Sequence, residues 1–260
     1  MHVIHITFDL RDIAGRVSKV KQQGHSNSCF SFVACETIQG LYNKLAKEPV
    51  DETMNDADKA LYNEMMKHSE IELSPQDLYN NLIKDEIQDK KGYSIIETFA
   101  WIRDNGCVLE KTCPYDGKIK KCENREVVLR IEGHKPLRPW EIEAALRAGH
   151  PVAAQVHWTE DLNDLEADVV YSGPGHASAF ETENDKHGVV IVGFGEVRRG
   201  GRVIKRFWII KNSHGDGWSK GGFGFIDRGM AHGRYLIEDA CIPLGISFKD
   251  LEGVPYGSLN

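Results

Sequence analysis

Three residues, far apart in the chain, carry side chains suited to attacking an acyl bond: Cys29, His187 and Asn212. Cys29 lies in "QQGHSNSCFSF", just ahead of apolar residues Phe30, Val33, Ala34, Ile38, Leu41, Tyr42 and Leu45. Their spacing predicts a core helix over residues 28–47, with Asn27 and Ser28 as N-cap types and Cys29 in the first turn. A thiol attacks as its thiolate, and the unpaired N–H groups and positive end of a helix stabilise that anion. A nucleophile also needs a base held by a third group. Of eleven histidines, His187 opens the most apolar run in the chain, "HGVVIVGFG". His2, His5, His25, His68, His134, His150 and His232 lie in loop, terminal or polar contexts and read as surface, while His157 and His176 stay open. Asn212 closes the run "RFWIIKNS", where its carbonyl can accept an imidazole N–H and fix the tautomer. Taken singly, each has an ordinary alternative: a buried thiol, a histidine capping a strand, an asparagine in a turn.

The elements that must position these groups change character along the chain. In the first half, "SPQDLYNNLIK" (74–84) places Ser at N-cap and Pro at the first helical position, and "SIIETFAWIRDNG" (94–106) runs from a capping Ser94 to a terminating Gly106. Residues 48–72 read as a polar, weakly helical surface insertion. A last helix, "RPWEIEAALRAGH" (138–150), precedes the strand-like runs "PVAAQVHW" (151–158), "HGVVIVGFG" (187–195), "RFWIIKNS" (206–213) and "GGFGFIDRG" (221–229). Helices first and strands later imply an α+β protein: a mainly helical part over 1–130 carrying Cys29, and a mainly β part over 131–260 carrying His187 and Asn212.

Composition removes several other functions. The chain has 260 residues, 41% hydrophobic and 27% charged, with a formal net charge of −7. An acidic chain without a basic stripe does not bind nucleic acid, and the most basic run, 196–206, reads as a hairpin loop around Gly200-Gly201. No apolar run is long enough to span a bilayer. "VVIVGFGEVRRGG" resembles a dinucleotide fingerprint, but Arg198 stands where a third glycine is needed and no helix follows. The six cysteines (29, 35, 107, 113, 122 and 241) lack the close pairs that zinc requires, so neither a metal nor a cofactor is expected.

The chain also resembles the papain-like cysteine proteases, through five segments in the family's order. These are "FDLRDIAGRVSKVKQQGHSNSCFSF", "ELSPQDLYN", "TCPYDG", "KHGVVIVGFG" and "IIKNSHGDGWSKGGFGFIDRG". The resemblance implies a papain-like fold. A helical left subdomain and an antiparallel, barrel-like right subdomain flank a cleft, with the extreme N-terminus crossing to the β side. It implies an endopeptidase working through an acyl-enzyme thioester, with Cys29 as nucleophile and His187 as base and acid, the two resting as a thiolate–imidazolium pair. Asn212 orients the ring, and Gln23 shares the oxyanion with the Cys29 N–H. Trp218 walls the leaving-group side of the cleft, and Gly92 pairs with substrate backbone. The implied partners are a peptide or protein substrate and a cystatin-like inhibitor, bound by a monomer.

The departures from the family carry expectations too. Ser26 and Asn27 replace a cysteine and a glycine, Phe30 a tryptophan, and Asn80 or Asn81 another cysteine, so the family's disulfides read as lost and Cys122 and Cys241 as unpaired. Missing disulfides, signal peptide, prosegment and glycosylation sequons lean toward an intracellular protein, with the vacuole, lysosome or exterior as the alternatives that the resemblance implies. Lys186 is expected to lower the His187 pKa, and His214, in place of a tryptophan, to admit water to the His187–Asn212 bond. Two other readings stay open: a binding scaffold with a drifted site, and a peptide ligase or acyl transferase using the same thioester. Substrate preference is not legible.

Overall fold

A computed structural model of the chain describes residues 2–47, 54–67, 71–120, 122–123, 125–180 and 186–248. His68 and parts of the 48–72 and 157–186 segments lie outside the described residues. In chain order the elements are β1 (His2–Asp9), α1 (Cys29–Leu45), α2 (Asp56–Lys67), α3 (Pro75–Leu82), α4 (Glu86–Lys91) and α5 (Ile95–Asn105). Next come β2 (Leu129–Arg130), β3 (Gly133–Pro136), α6 (Ile142–Arg147), β4 (Val152–His157), α7 (Glu160–Asn163) and β5 (Val170–Tyr171). The chain continues with β6 (Lys186–Arg199), β7 (Arg202–Lys211), β8 (Phe223–Asp227), β9 (Met230–Ala231), β10 (Arg234–Tyr235), β11 (Ile237–Leu244) and β12 (Ser247–Phe248). The caps behave as their residue types require: the Ser74 and Ser94 side chains accept the N–H groups of Asp77 and Glu97, and Gly106 ends α5 at φ 75°.

The main sheet runs β3-β11-β4-β6-β7-β8-β5, with β1 added along the far half of β6. The N-terminus thus reaches the sheet built by the second half of the chain, pairing Ile4 with Val197 and Ile6 with Gly195. The basic run is more ordered than a loop: β6 continues to Arg199 and β7 starts at Arg202, leaving Gly200 and Gly201, both at positive φ, as a two-residue hairpin turn. The same continuous β6 excludes a dinucleotide turn at Gly193-Gly195. No described helix is long and apolar enough to cross a membrane.

Helix α1 is buried on more than one apolar face, which its periodicity did not foretell. Every residue from Phe30 to Tyr42 is buried, because α3 and α5 pack on one side and β4, β6 and β11 on the other. Its polar side chains are satisfied in place. Thr37 Oγ1 donates to the Val33 carbonyl at 2.9 Å, Gln39 Oε1 accepts the Leu73 N–H at 3.0 Å, and Glu36 pairs with Lys211. Lys211 also donates to the Ser18 and Lys19 carbonyls, each at 2.9 Å, so α1 and the end of β7 are clamped through one buried cation. The 56–67 segment is likewise more than surface: Met65 is buried in the core, and its carbonyl accepts the Tyr42 hydroxyl at 2.7 Å.

The disulfide expectation is corrected. Cys113 and Cys122 are bonded, with their Cα atoms 5.7 Å apart, and Asn80 Nδ2 lies 3.3 Å from the Cys122 sulfur. Cys29, Cys35, Cys107 and Cys241 are free. The bonded cysteines lie nine positions apart in sequence, a spacing that says nothing of the turn that joins them. The bond removes unpaired Cys122 as grounds for a reducing compartment.

Candidate active site

Cys29 is the first residue of α1 and the only partly exposed free cysteine among the described residues. Ser28 occupies the N-cap, but its side chain does not cap. Its hydroxyl instead meets those of Ser26 and Tyr115, each at 2.7 Å. The Ser31 N–H donates to the Ser28 carbonyl at 2.9 Å, and the Cys29 and Phe30 N–H groups ahead of it are left to the site. Those of Cys29, Phe30 and Gly188 all act on the thiol and favour its thiolate, against burial, which dominates and pushes the Cys29 pKa up.

The loop ahead of Cys29 is held by one phenol. Tyr115 donates to the Gln23 carbonyl at 2.7 Å, which spends its only proton, so it accepts from Ser26 and Ser28. Ser26, expected to mark a lost crosslink, is tied to Tyr115 and thence to the loop closed by Cys113–Cys122. Gln23 is buried and its amide is oriented: Oε1 accepts from the Ser213 hydroxyl at 2.5 Å, and Nε2 donates to the Ser26 carbonyl at 2.7 Å. One Nε2 proton remains. The Gln23 N–H also donates to the Ser213 carbonyl at 2.8 Å, joining this loop to the residue after Asn212.

On the sheet, β6 begins at Lys186, so His187 sits at its mouth, and β7 ends at Lys211, one residue before Asn212. His187 Nε2 lies 2.7 Å from Asn212 Oδ1. The Ser213 N–H donates to the same oxygen at 2.7 Å, which fixes the amide and makes Nε2 the protonated nitrogen of His187. Nδ1 is then the basic one. Strand β6 meets α1 at Gly188, where a Cβ would stand 3.3 Å from the Cys29 carbonyl carbon and 3.2 Å from Val33 Cγ2. A side chain at 188 would press on the helix that carries the thiol, and the glycine eases that close approach.

Two expectations about the histidine are overturned. Lys186 turns away, to Glu238 at 3.0 Å and Asp239 at 3.6 Å, and these acids outweigh its burial and hold its pKa up. The groups that act on His187 are burial first and the neighbouring His214 second, which together push it down to about 3. Nor does His214 open the bond to water, since His187 is 8% and Asn212 2% exposed. The cover is Trp158, which sequence reasoning missed. Its ring centroid lies 4.5 Å from that of His187 and 5.1 Å from that of His214. Trp218 sits behind it at 5.7 Å, buried, with Nε1 donating to the Leu162 carbonyl at 2.7 Å. The pairing of β4 with β6 sets His157 opposite Lys186, so Trp158 follows at the mouth beside His187. Burial thus raises the thiol and lowers the imidazole, which works against charge separation between Cys29 and His187.

Gly92 ends α4 at φ 67°, with open space where a Cβ would point. A groove of about 850 Å³ lined by Ile4, Ile6, Val197, Phe223 and Phe225 lies on the sheet, and none of Cys29, His187, Asn212 or Gln23 lines it. His157 is buried in contact with Phe180 and lies 3.4 Å from Glu238, while His134, expected at the surface, stacks on Phe99.

Comparison with known proteins adds an independent line. The sequence profile of the papain family cysteine proteases matches residues 53–243, which leaves Cys29 to be placed by its surroundings. A cysteine protease of Blomia tropicalis is 27% identical over 235 residues, covering 85% of this chain and 61% of its own length. The KDEL-tailed cysteine endopeptidase CEP2 of Arabidopsis thaliana is 27% identical over 220 residues, covering 82% and 52%. The chain thus spans about half to three fifths of the length of these relatives. The bromelain protease of Ananas comosus, solved with the E64 inhibitor, superposes with a TM-score of 0.66 at 21% identity over 91% of this chain and 97% of its own. That likeness shows a shared α+β, papain-like fold. The profile match, over most of the chain, shows more: this protein belongs to the papain family of cysteine proteases.

Proposed function

We propose that the chain is a cysteine endopeptidase, hydrolysing peptide bonds through a thioester on Cys29. The observation that carries this reading is the 2.7 Å bond from His187 Nε2 to Asn212 Oδ1, beside a thiol at an uncapped helix start. Nδ1 of His187 takes the Cys29 proton as the sulfur attacks the carbonyl carbon. The N–H groups of Cys29, Phe30 and Gly188 support the thiolate. The oxyanion is met by the Cys29 N–H and the free Nε2 proton of Gln23. His187 then gives its proton to the departing amine. Water, deprotonated by the same ring, cleaves the thioester and returns the thiol. Trp158, with Trp218 behind it, walls the leaving-group side, and Gly92 offers backbone to the acyl side. A helical and a β-rich subdomain flank this cleft, which a cystatin-like inhibitor would block.

Burial that works against charge on both Cys29 and His187 gives a second reading, a scaffold that binds peptides without cutting them. Fluorogenic peptides assayed from pH 4 to 8, with wild type beside Cys29→Ala, separate the two. Turnover that vanishes in the variant supports the peptidase. No turnover in either, with tight binding of a cystatin, supports the scaffold.

A further inference from the structure

His214 takes no part in the chemistry described above, yet it is a second titratable ring packed against the base. Its place is fixed from two sides. Its backbone bridges to Gln22, whose Nε2 donates to the His214 carbonyl at 3.0 Å. Its ring centroid lies 4.6 Å from that of His187 at a tilt of 42°, and Trp158 packs against both rings. The two histidines differ in access: His187 is buried, whereas His214 is half-buried and can exchange protons with water. The other ionisable groups nearby are directed elsewhere. Lys21, whose carbonyl accepts the Gly215 N–H at 3.0 Å, sends its ammonium to Glu72, Lys186 goes to Glu238 and Asp239, and Asp216 is exposed. Burial alone holds the His214 pKa below its ordinary 6.5.

Peptide cleavage requires His187 to become an imidazolium as it takes the Cys29 proton. A charged ring with its centroid 4.6 Å away opposes that second charge, and a neutral one does not. We infer that His214 governs the proton transfer through His187: neutral, it lets His187 act as base, and protonated, it keeps His187 uncharged and silences the site. This rests on the peptidase reading. The thiol is set mainly by burial, by the N–H groups around it and by Asp89, so a charge at His214 is felt chiefly by the proton's acceptor. His187, at about 3, takes a proton from solvent last. As pH falls below 6.5, His214 is charged first, and activity is lost with its titration. A tryptophan at this position could cover the ring but could not make this switch.

The test uses the full chain as wild type, His214→Gln and His214→Trp. For each, kcat/KM for one fluorogenic peptide and the rate of Cys29 alkylation by iodoacetamide are measured at about pH 8 and about pH 4.5, and each protein serves as its own reference. The loss on acidification is expected to be about tenfold or more greater in wild type than in either variant, the scale of two like charges at this separation in a partly dry site. The His214 ring signals, followed by NMR, should titrate at the midpoint of the wild-type loss. The glutamine removes the charge and the tryptophan keeps the bulk, so agreement between the variants separates charge from packing. Equal acid losses in all three proteins overturn the inference, even where the variants are slower at both pH values. If no peptide is cut but the acid loss of alkylation still depends on His214, its control of His187 stands and the peptidase reading falls.

Discussion

The two halves of the site are held by different forces. On the helix side, Cys29 is presented by a loop pinned through hydroxyl and backbone hydrogen bonds that converge on Tyr115. On the sheet side, His187 is gripped by rings, with Trp158 and His214 packed against it and Asn212 at its Nε2. Hydrogen bonds fix direction, and a nucleophile with its oxyanion donors depends on direction. Aromatic burial fixes proton affinity, and a base depends on that. Among the ties that join the halves are Lys211 to Glu36, Ser213 to Gln23, Gln22 to the His214 carbonyl, and Gly188 against Cys29.

Removing the reacting groups breaks both halves at once. Cys29→Ala and His187→Ala should each lower kcat/KM by about 10⁴-fold or more, with the double variant little worse, because the two act as a unit. Gln23→Ala should cost about 10²-fold in kcat and leave Cys29 alkylation by iodoacetamide nearly unchanged. An equal loss in both assays would mean that Gln23 holds the loop and leaves the oxyanion alone.

Cutting a tie tests how far the halves depend on each other. Glu36→Gln leaves Lys211 buried without its counter-charge and should destabilise the fold by about 3–5 kcal/mol in urea unfolding, whereas replacing both partners with apolar residues should recover much of that. The sheet side has its own signature. His187 is held at about 3 against an ordinary 6.5. Between those values the unfolded chain binds a proton that the folded chain refuses, so stability falls as pH drops through the window. Wild type should therefore lose more Tm than His187→Gln between pH 6.5 and 4. Equal slopes would place the cause in other groups. The smallest effect belongs to the hydroxyl hub: Tyr115→Phe should cost about 1–2 kcal/mol and reduce activity with the His187 titration unmoved.

Much of this frame was legible because it lies in local patterns. The core helix from Cys29, the capped starts at Ser74 and Ser94, and the strands ending near His187 and Asn212 follow from periodicity and end signals. What escaped depends on register and packing between distant segments. Trp158 reaches His187 only because β4 pairs with β6 in one particular register. Lys186 sits beside His187 in sequence, yet the alternation of a strand sends its side chain to Glu238 on β11. The Cys113–Cys122 bond and the Tyr115 hub rest on the path of a loop without periodicity. Burial, too, is a property of the assembled core, which is why its pull on the proton affinities of Cys29 and His187 could not be read from residue types.

The Tyr115 fastening also bears on how the protein tolerates its surroundings. Where the family has a sulfur, Ser26 shares protons with a phenol. Such a clasp is blind to dithiothreitol, so reductant strong enough to keep Cys29 from oxidising leaves the loop's direct anchors closed. Heat treats it differently, because a covalent staple holds until it snaps whereas shared protons slacken by degrees. On warming, turnover should fade several degrees before the fold melts.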